Sequence, residues 1–155
     1  MPEQETLERA REDAREGKAP STQAGEFVRE EIHHVREGKH GARNAKQAIA
    51  IGLSKARRAG VKLGAPNPKT TSRSTRKKAK QDSARGKRRI KPSMRRSRAT
   101  EAALKREGRS AASSSALGRQ AHSSATMRGR ERRVAAAKQA AATRSHTSSS
   151  RPKRK

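Results

Sequence analysis

The sequence predicts a mostly disordered chain with a small all-α head: a helical hairpin at about residues 21–60, a charged helix before it, and a long basic arm after it. Three observations carry this prediction. The chain has 155 residues and a formal net charge of +27, from 41 Lys and Arg against 14 Asp and Glu, so it repels itself when unbound. Only 28% of it is apolar, much of that Ala, and Phe27 is its one aromatic residue. Such a chain buries too little apolar surface to offset its conformational entropy along the whole length. Large apolar residues recur at helical spacing only in the segment that contains Phe27 and Leu53.

Charge divides the chain into three zones. Residues 1–38 hold 10 acidic and 6 basic residues, residues 39–64 hold 7 basic and none acidic, and residues 65–155 hold 28 basic and 4 acidic. The nets are −4, +7 and +24. We therefore expect an acidic helix and linker at 1–20, a hairpin head at 21–64 and a disordered basic arm at 65–155.

In the first zone, Glu3 to Glu16 has Leu7 and Ala as its only apolar residues, so it reads as a solvated helix ended by Gly17. Ser21 or Thr22 can cap a second helix that runs to Glu37 and stops at Gly38. Ala24, Phe27, Val28, Ile32 and Val35 form its apolar stripe. Asn44 can cap a third helix, with Gln47 completing a capping-box-like arrangement, and Gly60 closes it. Its face of Ala45, Ala48, Ile49, Gly52, Leu53 and Ala56 would let another helix approach closely. The expected packing sets Phe27, Val28, Ile32 and Val35 on Ile49 and Leu53, joined by Val61 or Leu63. A unit of about 40 residues sits at the limit of independent stability, which leaves room for a homodimer through the head or a bound partner.

The arm, from Pro66 onward, is rich in Lys, Arg, Ser, Thr and Ala and reads as disordered when free. Thr100 to Glu107 and Arg130 to Arg144 can become helical once their charge is neutralised. Ser113 to Ser115 and Ser148 to Ser150 are expected to stay open.

Two stretches carry a resemblance. Lys46-Gln47-Ala48-Ile49-Ala50-Ile51-Gly52-Leu53-Ser54-Lys55-Ala56-Arg57, preceded by the Phe27 to Gly38 helix and its Gly-Lys loop, resembles a family of small basic bacterial proteins of unknown function, often labelled DNA-binding or histone-like. Ala103 to Ala112 and Leu117 to Ala121 share that resemblance at the level of composition. It implies a bacterial origin and DNA association, and no catalytic role transfers with it. The arm is also similar in composition to the Lys/Ala/Ser-rich tails of linker-histone-type proteins.

The candidate chemistry is phosphate binding. A basic arm gains affinity by releasing counterions condensed on a polyanion, whatever its sequence. The candidate residues are Arg73, Arg76, Lys77, Lys78 and Lys80; Arg85, Lys87, Arg88, Arg89 and Lys91; Arg95, Arg96 and Arg98; Arg128, Arg130, Arg132 and Arg133; and Arg151, Lys153, Arg154 and Lys155. Lys46, Lys55, Arg57 and Arg58 on the third helix form a secondary set. Without Tyr or Trp the chain lacks the rings that stack single-stranded bases, so duplex DNA fits better than RNA, which remains the alternative partner together with the ribosome. A helix-turn-helix reading of 21–60 is disfavoured because Asn44 and Gln47 serve better as caps than as readers of bases. Arg128-Gly129-Arg130 has the core of a minor-groove hook but lacks flanking prolines.

Other classes are excluded at this level. There is no Gly-rich phosphate loop, nucleophile elbow or carboxylate pair in an apolar setting, so no enzyme and no cofactor is expected. His33 and His34 point about 100° apart on a helix and are not expected to share a metal. Surface pairs of Glu30 with His34 and His33 with Glu37 explain them. With no Cys, no disulfide or thiolate metal site arises. No apolar run or amphipathic aromatic face suits a membrane, and Pro2-Glu3-Gln4-Glu5 does not open a leader. The expected location is the cytoplasm, at the nucleoid.

Overall fold

A computed structural model describes residues 2–88, 93–127 and 129–149, with the side chains of residues 131, 143 and 145–149 outside the description. These residues carry seven α-helices: α1 (Gln4–Arg15), α2 (Pro20–Glu37), α3 (Ala45–Arg58), α4 (Arg73–Lys87), α5 (Met94–Lys105), α6 (Ser114–Met127) and α7 (Arg130–Ser149). A 3-10 turn spans Ser110–Ala112. The chain divides into two units, residues 1–118 and 119–155. No helix among the described residues is long and apolar enough to cross a membrane.

The expectation of a mostly disordered chain is overturned, since α4 to α7 lie in the segment read as a disordered arm. The reason is local. Ser72 caps α4 by accepting from the Thr75 N–H, and Ser113 caps α6 by accepting from the Ala116 N–H. Two of the serines expected to stay open thus begin a helix, with Ser113 as its cap. Between the caps, Ala, Arg, Lys and Gln have high helix propensity. Thr100 to Lys105 and Arg130 to Arg144, expected to become helical only on charge neutralisation, are helical in the chain by itself, within longer elements, while Arg106 and Glu107 are not helical; of the last serine run, Ser148 and Ser149 close α7 and Ser150 lies outside the described residues.

The hairpin of α2 and α3 is the centre of the first unit. Pro20 takes the first helical position of α2, one residue ahead of the expected caps, because its missing N–H costs nothing there. Gly38 ends α2 in the left-handed region at φ 77°. Asn44 accepts from the Gln47 N–H at 2.9 Å, and Gln47 Oε1 in turn accepts from the Arg43 N–H at 2.7 Å. A Cβ on Gly52 would lie 2.7 Å from the Val28 Cα, so the two helices meet backbone to backbone as its size suggested.

Two apolar clusters flank this contact. Phe27, 1% exposed, packs with Ala10, Ala24 and Ala56 and with Leu7, Leu53, Val61 and Leu63. The first helix is therefore docked rather than solvated: α1 lays Leu7 and Ala10 on Phe27 and is tied down by Arg9 to Glu26 at 2.7 Å. Ile32 and Val35 pack with Ala42, Ala48, Ala111 and Ala112, bordered by Val28 and Leu117.

That second cluster shows where the hairpin finds its missing cover. The segment after α5 folds back as a clasp on the α2–α3 loop. The Gly41 N–H donates to the Leu104 carbonyl at 2.9 Å, the Ala42 N–H to the Gly108 carbonyl at 3.0 Å, and Arg36 Nε to the Ala112 carbonyl at 3.0 Å. Residues 104–117 of the same chain cover this side of the hairpin.

The second unit contains the rest of α6 and the whole of α7. Every described side chain of α7 is exposed, Val134 by 46%. A helix that buries none of its described side chains draws its stability mainly from propensity.

A Cβ at position 41 would fall 1.8 Å from the Glu107 carbonyl oxygen. Gly41→Ala should therefore lift the clasp off and cost about 1–3 kcal/mol of stability in chemical unfolding, the range of an overpacked contact. Amide exchange across Leu104 to Ser113 should accelerate while that of α4 does not.

Candidate nucleic-acid interface

Where each candidate cation points is set by the helix that carries it. On α4, Ala79 and Asp82 face α3 and are buried, 6% and 4% exposed. Asp82 Oδ2 accepts from Ser54 Oγ at 2.6 Å, and Arg58 Nε lies 3.8 Å from its other oxygen. At 100° per residue, Arg73, Arg76, Lys77, Lys80, Lys87 and Arg88 then fall within an arc of about 120° on the outer side. Lys78 and Arg85 lie on the remaining flank. All eight are exposed, and none has an acidic partner among the described residues. The one acid of α4 is spent inward, so the outer face is unneutralised over about 22 Å of helix.

The other basic helices are less one-sided. On α5, Arg95, Arg96 and Arg98 are exposed, while Glu101 pairs with Lys105 at 2.9 Å. In the second unit, Arg130, Arg132 and Arg133 are exposed on the first turns of α7, with Lys138 and Arg144 following. Arg89, Lys91, Arg128, Arg151, Lys153, Arg154 and Lys155 lie outside the described residues, and the Arg128-Gly129-Arg130 hook falls partly there.

The secondary set on α3 divides. Lys46 is exposed. Arg57 is half-buried, its Nη2 3.4 Å from the Gly64 carbonyl; burial pushes its pKa down and Asp82 opposes this, leaving it charged. Arg58 turns toward Asp82. Lys55 is not on a phosphate-facing surface at all. Its side chain is 15% exposed, with Nζ 2.9 Å from Glu30 Oε1 and 2.7 Å from Glu31 Oε2.

Those two carboxylates belong to a polar cluster that sequence reasoning missed. Glu30 and Glu31 are buried beside Phe27 and Ile32, with side chains 1% exposed. Burial pushes the Glu30 carboxyl up, but the Lys55 ammonium outweighs it and holds the group below its ordinary range. Glu30 also accepts the Glu3 N–H at 3.1 Å, which pins the start of α1. Glu3 itself reaches His34 Nε2 at 2.8 Å and Lys39 Nζ at 3.1 Å, hydrogen bonds that bring its pKa down to about 2. The histidines that meet are His34 and His40, edge to face at 6.0 Å, while His33 is exposed. His40 Nε2 is 2.6 Å from Glu31 Oε1. The signal was present: Glu31 stands four residues from both Phe27 and Val35, inside the apolar stripe, where a carboxylate needs a cation.

A protein family of unknown function (DUF6496) matches residues 20–69, about a third of the chain. The match begins at the first residue of α2, takes in α3 and the Val61 to Leu63 wrap, and ends before α4. It holds the whole polar cluster except Glu3. No curated protein and no solved structure matches the chain.

Removing Lys55 would leave two buried carboxylates without their cation. Lys55→Met should cost about 3–5 kcal/mol in denaturant unfolding, the scale of a buried pair that loses one partner. Lys46→Met, on the exposed side of the same helix, should change stability by less than about 0.5 kcal/mol.

Proposed function

We propose that the chain binds duplex DNA through its phosphates, without reading sequence, as a nucleoid-associated protein. The observation that carries this reading is the outer face of α4. Six cations stand in its outer arc and two on its flank, none with an acidic partner among the described residues, on a helix whose packing on α3 fixes which way they point. Charge repels itself along that face, because Arg73 with Lys77 and Arg76 with Lys80 are like-charged pairs at i, i+4. A polyanion relieves this repulsion and gains the entropy of its released counterions. In the second unit, α7 offers a separate cationic surface of the same kind.

The geometry also supports the absence of sequence reading. Base recognition needs side chains held in place by neighbours so that they can aim at base edges. The outer cations of α4 are long, exposed and untethered, which suits contact with phosphates at many registers. With Phe27 buried in the core, no Phe, Tyr or Trp ring is exposed to stack on an unpaired base, which favours duplex over single strands.

If about 10 phosphates are engaged, log affinity should fall against log salt with a slope of roughly −9. A slope near about −2, or a preference above about a hundredfold for one duplex, would refute the reading. Competition at equal nucleotide concentration between duplex DNA and structured RNA checks the choice of partner, and RNA winning would reassign it.

The variant Arg73→Gln/Arg76→Gln/Lys80→Gln removes three outer charges and keeps the packed side of α4. It should reduce the slope by about 3 and weaken binding by a similar factor on every duplex tested. Circular dichroism should show α4 retained, since the like-charge pairs are relieved.

A further inference from the structure

Outside the cationic surface, the strongest unassigned chemistry is the group of Glu31, His34 and His40. One ligand atom of each lies within 4.8 Å of the other two. They come from two places, α2 and the loop that follows it, and only the fold brings them together. Glu31 is buried, and each histidine side chain is 12% exposed, so the group is largely shielded from solvent rather than spread on open surface.

The hydrogen bonds around the group fix which atoms face inward. His40 Nδ1 is 3.0 Å from the Gly41 carbonyl oxygen, which can only accept, so Nδ1 carries the proton. Nε2 of the same ring then presents to Glu31 Oε1, another acceptor, at 2.6 Å. At that distance a proton on Nε2 is shared with the carboxylate, and a metal ion bound at this nitrogen would take the proton's place. His34 is oriented likewise: its Nε2 is held by the Glu3 carboxylate at 2.8 Å, and its Nδ1 turns inward, 3.9 Å from Glu30 Oε1, as the nitrogen a cation would take. Glu31 is divided as well, with Oε2 given to Lys55 at 2.7 Å and Oε1 left for the histidines. A ring whose outer nitrogen is held by a carboxylate or a backbone carbonyl is the usual support of a metal-ligating histidine.

We propose that Glu31, His34 and His40 form a binding site for a divalent transition cation of the zinc type, with Glu3 and the Gly41 carbonyl as orienting groups. Two imidazoles and one carboxylate suit zinc, and water can take the fourth position of a tetrahedral site. At metal–ligand distances of about 2.0–2.1 Å, His40 Nε2 and Glu31 Oε1 must separate to about 3.3 Å. His40 lies in the loop between α2 and α3, so the loop makes that adjustment. The ion would then fasten the loop whose Gly41 and Ala42 hold the clasp. The site rests on none of the cations assigned to nucleic acid and is tested without any.

The test is titration of the full-length chain with Zn2+ near neutral pH by calorimetry, paired with acylation of histidines read by mass spectrometry. Expected is saturable 1:1 binding with protection of His34 and His40, while His33 and His122 stay reactive. Glu3→Gln, an exposed change that leaves the core intact, should weaken binding about 10- to 100-fold by loosening His34. His40→Ala should abolish it; if that variant loses its helical dichroism, the footprint on the unaltered chain decides. No saturable 1:1 binding, equal protection of His33 and His122, or affinity unchanged in Glu3→Gln would overturn the proposal.

Discussion

Glu30 and Glu31 lie side by side on α2 with their carboxylates buried, and Lys55 from α3 closes the distance to both. Much of the first unit depends on this interaction. Two adjacent carboxylates taken out of water are costly, and a single ammonium shared between them is tolerated only when further donors complete the shell. The Glu3 N–H and the His40 ring are such donors. The four contacts draw α1, α2, α3 and the α2–α3 loop to one point. What a larger core would do with aromatic area, this chain does with charges that can be satisfied in one arrangement only.

The same shortage of large apolar residues explains the style of packing elsewhere. Of the buried apolar residues, most are alanines, among them Ala24, Ala48, Ala56 and Ala112 at no measurable exposure. Alanine contributes little area, so it stabilises only where backbones come close. Gly52 and Gly41 allow that approach at two contacts, one within the hairpin and one between the loop and the clasp. The core is thin, and its specificity rests on small residues in the right register together with the buried ion pairs.

This accounts for what the sequence did and did not disclose. The α2–α3 hairpin was legible because Phe27, Val28, Ile32 and Val35 leave a helical stripe, and Gly38, Asn44 and Gly60 punctuate it. The docking of α1 was not, since Leu7 alone gives no stripe and the partner surface belongs to another helix. The helices of the basic segment escape the sequence for a related reason: mean composition measures how much core a chain can build, whereas α4 is placed by a capped end, the buried Ala79 and the bond from Ser54 to Asp82. The clasp at Ala111 and Ala112 was hidden by low complexity, where two alanines among many carry no distinguishing mark. In the candidate interface, the cluster of charge from Arg73 to Lys80 is visible in the sequence, but the inward turn of Asp82 and the burial of Lys55 are facts of tertiary packing.

The clasp has one consequence for the order in which the chain can assemble. Its contacts with the α2–α3 loop join segments more than sixty residues apart, so residues 43–103, α4 included, become a closed loop held at both ends on the head. Closing such a loop costs entropy that grows only with the logarithm of its length, roughly 0.6 kcal/mol for each doubling. Residues could be added to or removed from the stretches either side of α4 with little effect on the head. During synthesis, the head emerges well before the segment that completes it, and for that interval the apolar side of Ile32 and Val35 is uncovered. The unpaired basic loop is made in the same interval, so a polyanion already present would meet the chain before its fold is closed.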